Sequence, residues 1–178
     1  MIYVLYKMIQ CKITKEGAVI PKKAGNDEVG YDLTAISLDK VMNGNTYMFD
    51  TGIQVMPPDG YYLEIIPRSS IVKTGYMLAN SIGIIDPTYR GNLKIVLTKV
   101  SDTAQDLVLP FTKCQLVVRK MESFDIVDIG DSEWKETTRG DGGFGSTDSV
   151  PPTPYTSPNL TGLEDGRDTI SPNALNLV

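Results

Sequence analysis

Nine residues near the C-terminus, Arg139-Gly140-Asp141-Gly142-Gly143-Phe144-Gly145-Ser146-Thr147, combine several kinds of anion-binding and base-binding chemistry. Arginine clamps a phosphate through two parallel N–H donors. Glycines leave backbone N–H groups open to an anion. Phe144 offers an aromatic face on which a nucleobase can stack. Ser146 and Thr147 add hydroxyl donors. The set suits a flexible flap closing over a nucleoside triphosphate, although by composition alone it is equally a Gly-rich linker.

Four segments upstream meet other needs of such a site. In Gly30-Tyr31-Asp32-Leu33 an aspartate follows a Gly-Tyr turn at the start of a strand. It could hold a hydrated Mg²⁺; read alone, it is also an ordinary turn aspartate. In Pro67-Arg68-Ser69-Ser70 the proline ends a strand and the serines open a helix-like turn. Backbone N–H groups there would face an anion beside Arg68, and a plain helix cap would use the same residues. The stretch Asn80–Gly91 reads as a Gly-containing hairpin whose main-chain groups could match a pyrimidine edge. Asp86, just past it, is the best-placed carboxylate base, and Tyr89 can lie flat against a sugar; turns also favour these residue types. In Lys113-Cys114-Gln115-Leu116-Val117 a glutamine opens an apolar run. Its amide could donate to phosphate or simply sit at a strand edge.

Composition narrows the chemistry. The chain has 178 residues, 41% of them apolar, and a net charge of −5. This fits one domain with a tail and argues against a general binder of nucleic acid or anionic membrane. Cys11 and Cys114 stand alone, so neither a zinc site nor a disulfide framework is expected. No apolar run reaches membrane-spanning length. A reducing, intracellular compartment is expected, cytoplasmic by default, with nuclear use or a phage or viral source left open. There is no histidine, which removes Ser-His-Asp and Cys-His catalysis. A catalytic base must then be a carboxylate, and any metal must be hard and oxygen-bound.

The elements that must position these residues are short. Apolar runs at Lys7–Ile13, Tyr47–Met56, Tyr61–Ile66, Leu93–Val100, Leu107–Leu109 and Cys114–Met121 are separated by Gly, Pro, Asn and Asp. The pattern predicts an all-β sandwich or barrel. One or two helical turns are expected across Ser69–Tyr76. Residues 149–178 are rich in Pro, Ser, Thr and Asn and read as a tail outside the core.

Taken in order, the Gly-Tyr-Asp-Leu, Pro-Arg-Ser-Ser, Ile-Asp-(x)₂-Tyr-Arg-Gly and Arg-Gly-(x)-Gly-Gly-Phe-Gly-Ser-Thr segments resemble the motifs of the homotrimeric dUTPases. The resemblance covers roughly residues 8–148. It implies a jelly-roll-like β-barrel over 1–130 with one short helix, and a C-terminal arm with the flap over 131–148. The 149–178 tail follows. It also implies hydrolysis of dUTP to dUMP and pyrophosphate with Mg²⁺, in active sites shared between subunits of a homotrimer. That activity keeps uracil out of DNA and supplies dUMP for dTMP synthesis. Carried onto this chain, Asp86 would activate the water and Asp32 would hold Mg²⁺ through water. Arg68, Ser69, Ser70 and Gln115 would hold the phosphates. Asn80, Gly83 and Ile85 would read uracil, and Tyr89 would exclude a ribose. Arg139, Gly145, Ser146 and Thr147 would close over the triphosphate, with Phe144 stacked on the base.

Two positions depart from the family pattern. The Gly-Asp-Arg that usually precedes the glutamine is Pro110-Phe111-Thr112 here, and Asp148 stands where a glycine usually ends the flap. The related dCTP deaminases carry a glutamate where this chain has Val96. A role as a regulatory or partner-binding member of the family is the alternative, with the Pro-rich tail as the segment a partner would bind.

Overall fold

A computed structural model of the chain describes residues 7–144. The chain divides after Asp125 into two units. Within the first, ten strands are described: β1 (Gln10–Ile13), β2 (Tyr31–Ala35), β3 (Ser37–Val41), β4 (Thr46–Asp50), β5 (Ile53–Met56), β6 (Tyr61–Pro67), β7 (Tyr76–Leu78), β8 (Gly83–Ile85), β9 (Lys94–Lys99) and β10 (Phe111–Lys120). They form two four-stranded antiparallel sheets, ordered β2-β10-β6-β8 and β3-β4-β9-β7, and a β1-β5 pair. This is the jelly-roll-like, nearly all-β architecture expected from the sequence.

Alternation on the strands builds the core. Leu33 and Ala35 of β2, Leu63 and Ile65 of β6, and Cys114 and Leu116 of β10 are buried from one sheet. Phe49 of β4, Ile95 and Leu97 of β9, and Tyr76 and Leu78 of β7 meet them from the other in one cluster. Phe49 and Phe111 bridge the sheets edge to face, with ring centroids 4.9 Å apart. Such a contact is worth about 0.5–1.5 kcal/mol beyond its buried area. Phe111 lies in the stretch that departs from the family pattern, and here that stretch serves the core. Burial pushes the Cys114 thiol up to about 12.

Several local expectations are corrected. The Tyr47–Met56 run is two strands in different sheets, broken at Thr51-Gly52. Gly52 has φ +68, and the Asp50 carboxylate accepts its N–H at 2.8 Å, a local turn that stops the strand. The helical turn is a 3-10 helix, Ser69–Lys73, shorter than expected. Gly75 at φ +73 ends that region, and Tyr76 already belongs to β7. Leu107–Leu109 forms no strand, although Leu107 and Leu109 pack against the core. The stretch around Asn80 is not a hairpin: β7 pairs with β9 and β8 pairs with β6, so the chain crosses from one sheet to the other.

The second unit, described over 126–144, contains turns and neither strand nor helix among those residues. No helix among the described residues is long and apolar enough to cross a membrane.

Candidate active site

β10 lies between β2 and β6, and its register assembles one corner of the site. Gln115 is opposite Asp32 on one side and Ile66 on the other. Its Nε2 donates to the Pro67 carbonyl at 3.1 Å. A Cβ on Gly30 would collide with the outer part of the Gln115 side chain, so the bare glycine lets that amide lie close to the start of β2. Arg68 has extended backbone as the N-cap of the 3-10 helix, so Ser69 and Ser70 form its first turn. The Arg68 N–H donates to the Lys113 carbonyl at 2.9 Å, and Nη1 lies 3.0 Å from Asp32 Oδ2. Both side chains are about one-third exposed, at 34% and 31%. Asp32, Arg68, Ser69, Ser70 and Gln115 are therefore brought together, with the cation and carboxylate in reach of solvent.

The second group surrounds β8. Ser81 precedes it with φ 59, a left-handed conformation that few residues other than glycine adopt. A Cβ on Gly83 would come within 3.2 Å of Ile65 and 3.3 Å of Asn80 Nδ2, so Gly83 lets the Asn80 side chain lie against the strand. Ile85 ends β8 opposite Leu63. Asp86 follows, exposed, and its carbonyl accepts the Tyr89 N–H at 3.0 Å across a turn with Pro87 next in line. Arg90 Nη1 donates to the carbonyls of Pro87 and Tyr89 at 2.7 and 2.8 Å. The Tyr89 hydroxyl donates to the Asn92 carbonyl at 3.0 Å, and the bare Cα of Gly91 makes room for it.

Asp86 and Arg68 lie toward opposite ends of β6. Continuing the register puts Asp86 level with Tyr62, six residues from Arg68. At about 3.3 Å per residue this is a separation of about 20 Å.

In the second unit Arg139 Nε donates to the Gly142 carbonyl at 3.0 Å, and the Gly142 N–H returns to the Arg139 carbonyl at 3.0 Å. The Phe144 ring is fully exposed. Gly145, Ser146, Thr147 and Asp148 lie outside the described residues, as does the tail at 149–178.

Sequence reasoning missed a buried polar cluster behind the second group. Asp50 is 1% exposed. Its carboxylate receives Lys15 Nζ at 2.7 Å, Lys94 Nζ at 2.8 Å and Asn92 Nδ2 at 3.2 Å. Burial pushes the acid up, but the two lysines, the Gly52 N–H and Asn92 outweigh it and hold it well below the usual carboxylate range. Lys94 is pushed down by burial and raised more strongly by Asp50 and Asp39. The available signal was a lone charge inside the apolar Tyr47–Met56 run.

Comparison with known proteins shows the fold and the family. A variant of the Staphylococcus bacteriophage 80alpha dUTPase, solved with dUpNHpp, shares the fold at a TM-score of 0.64 and 19% identity, covering 78% of this chain and 97% of that one. A mutant dUTPase from phage phi11 of S. aureus, solved for its structural Mg(II) ion, matches at a TM-score of 0.60 and 18% identity over 71% of this chain and 99% of its own. The deoxyuridine 5'-triphosphate nucleotidohydrolase of Escherichia phage T5 is 38% identical over 152 residues, 80% of this chain and 99% of that protein. The Arabidopsis thaliana protein of the same name is 34% identical over 136 residues, 76% of this chain and 80% of its own. A family model described as dUTPase matches residues 16–148. The chain belongs to the dUTPase family.

Proposed function

We propose that the chain hydrolyses dUTP to dUMP and pyrophosphate. The observation that carries this reading is an exposed Asp86 at one end of β6 and an Asp32–Arg68–Gln115 anion corner at the other, in a chain of the dUTPase family. A general base must reach the proton it takes within about 2.6–3.2 Å. Asp86 and Arg68 of one chain, about 20 Å apart along the strand, do not serve the same triphosphate. In this reading the groups for one substrate come from different subunits of a homotrimer.

In such a site Arg68, Ser69, Ser70 and Gln115 hold the phosphate chain. Asn80, Gly83 and Ile85 present main-chain groups to uracil, which leaves groups unpaired against cytosine. Tyr89 lies under the sugar and leaves no room for a 2′-hydroxyl. Phe144 stacks on the base, while Arg139, Gly145, Ser146 and Thr147 close over the phosphates. The attacking water forms a new bond to the α-phosphorus and gives its proton to an Asp86 carboxylate oxygen. The bond from that phosphorus to the bridging oxygen breaks, and pyrophosphate leaves. Positioning and charge neutralisation supply most of the rate.

The donor set fits a hydrated Mg²⁺. Among the described residues no three of His, Cys, Asp and Glu come together as an all-protein metal cage. Asp32, one-third exposed, can hold the ion's waters, as Mg²⁺ commonly retains several. When bound, Mg²⁺ neutralises charge on the phosphate chain.

The test is pyrophosphate release from dUTP, dCTP, dTTP and UTP with Mg²⁺, in the full chain and in Asp86→Asn. Release is expected from dUTP, falling about 10³-fold in the variant, within the range of general-base contributions. A folded trimer that releases pyrophosphate from none of the four would instead be a binding member of the family.

A further inference from the structure

Asp50 is almost inaccessible, and the reaction as proposed makes no use of it. Stability alone is a weak reason to keep it, because well-packed apolar residues often replace a buried ion cluster without loss. What sets this cluster apart is the residue it holds. Asn92 is gripped at both ends of its amide. Nδ2 donates to Asp50 Oδ1 and Oδ2, each at 3.2 Å, and Oδ1 lies 2.9 Å from the Thr14 hydroxyl, whose one proton it shares with the Gly52 carbonyl, also at 2.9 Å. The backbone beyond is pinned to the same turn. Thr51 N–H and Oγ1 donate to the Leu93 carbonyl at 3.2 and 2.9 Å, and the Leu93 N–H donates to the Ile53 carbonyl at 2.9 Å. The carbonyl of Asn92 accepts the Tyr89 hydroxyl at 3.0 Å. Tyr89 itself is 41% exposed, so this bond and the contact with Gly91 do much to set where its ring lies.

We infer that Asp50 is a positioning residue for sugar choice: through Asn92 it fixes the Tyr89 ring and thereby sets the preference for deoxyribose over ribose. The inference rests on the reading of Tyr89 as the sugar-facing ring. A rigid ring rejects a 2′-hydroxyl because it cannot withdraw. A ring on a loosened loop can withdraw, and the discrimination falls. Apolar surfaces reject an added hydroxyl by about 10²-fold, so loosening the ring is expected to forfeit about tenfold of it.

The experiment compares kcat and KM for dUTP and UTP in the wild type, Asp50→Asn, Thr14→Val, Tyr89→Phe, Tyr89→Ala and the Asp50→Asn/Tyr89→Phe double variant. In Asp50→Asn the dUTP-to-UTP ratio of kcat/KM is expected to fall about tenfold, with KM for dUTP moving more than kcat. The double variant should lose no more than Tyr89→Phe alone, because the link is already cut. Thr14→Val removes the hydroxyl shared by Asn92 and the Gly52 carbonyl, keeps the Asp50–lysine contacts and should shift the ratio in the same direction by less. It carries the test if Asp50→Asn does not fold. An unchanged ratio in both, or additive losses in the double variant, overturns the inference. An unchanged ratio in Tyr89→Ala rejects the sugar-facing reading and the inference with it. A shift in Tyr89→Ala alone rejects only the inference.

Discussion

Two carboxylate–cation clusters in the barrel have similar chemistry and different surroundings. Asp32 and Arg68 meet at 3.0 Å with about one-third of each side chain exposed. Asp50 meets Lys15 and Lys94 at 2.7 and 2.8 Å with 1% of the residue exposed. The first pair costs little to separate, because water and salt already compete for both partners. It can exchange its internal contact for a phosphate or a hydrated cation. The second has one buried carboxylate fixed by donors on several sides, and opening it leaves that charge stranded in the barrel wall. Burial, more than residue type, decides which cluster is open to a ligand and which acts as a fixed post.

The sharpest way to break this contrast is to remove each acid. Asp50→Ala is expected to destabilise the fold by about 1–3 kcal/mol, since it removes the buried acceptor shared by Lys15, Lys94, Asn92 and the Gly52 N–H. Asp32→Ala should cost less than about 1 kcal/mol; urea melts of both variants measure the difference. Acid provides a second probe. The folded-state acidity of Asp50 lies below its unfolded value near 3.9. Its stabilising contribution is therefore present above about pH 4 and is lost as pH falls from there toward the folded value. Melting temperature should drop across that window in the wild type, and less steeply in Asp50→Asn. Equal slopes would mean that other carboxylates dominate; Glu64, which Arg119 holds low, is one such group.

Smaller effects sharpen the exposed side. Arg68→Lys keeps the charge and loses the planar fork, so KM for dUTP should rise about tenfold with an unchanged melting temperature. Gly30→Ala pushes only the flexible end of Gln115 aside. KM is expected to rise several-fold with little change in stability; a large loss of stability would show that Gln115 holds the strands together.

The sequence made the exposed cluster readable and hid the buried one. Asp32, Arg68 and Gln115 lie in segments whose residue types announce phosphate chemistry, and β10 brings them together. Short strands were readable from alternation and turn residues. The break inside Tyr47–Met56 was not, because it depends on a side chain closing a turn at Gly52. The supposed hairpin failed for a related reason. Apolar runs on either side of Asn80 show that strands exist, and their partners, β9 and β6, lie far away in the chain. The link from Asp50 to Tyr89 joins residues 39 positions apart through a backbone carbonyl, which no residue type encodes.

Cys114 sits at 0% exposure with its thiol pushed up to about 12. Only a thiolate attacks an alkylating reagent at a useful rate. At neutral pH the folded barrel therefore withholds this sulfur, and an opened chain releases it. The residue is adjacent to Gln115 and paired in register with Leu33 and Pro67, so it lies at the seam of the corner that holds Asp32 and Arg68. Its rate of labelling is a clock for opening of that seam, and any ligand that closes the corner should slow the clock.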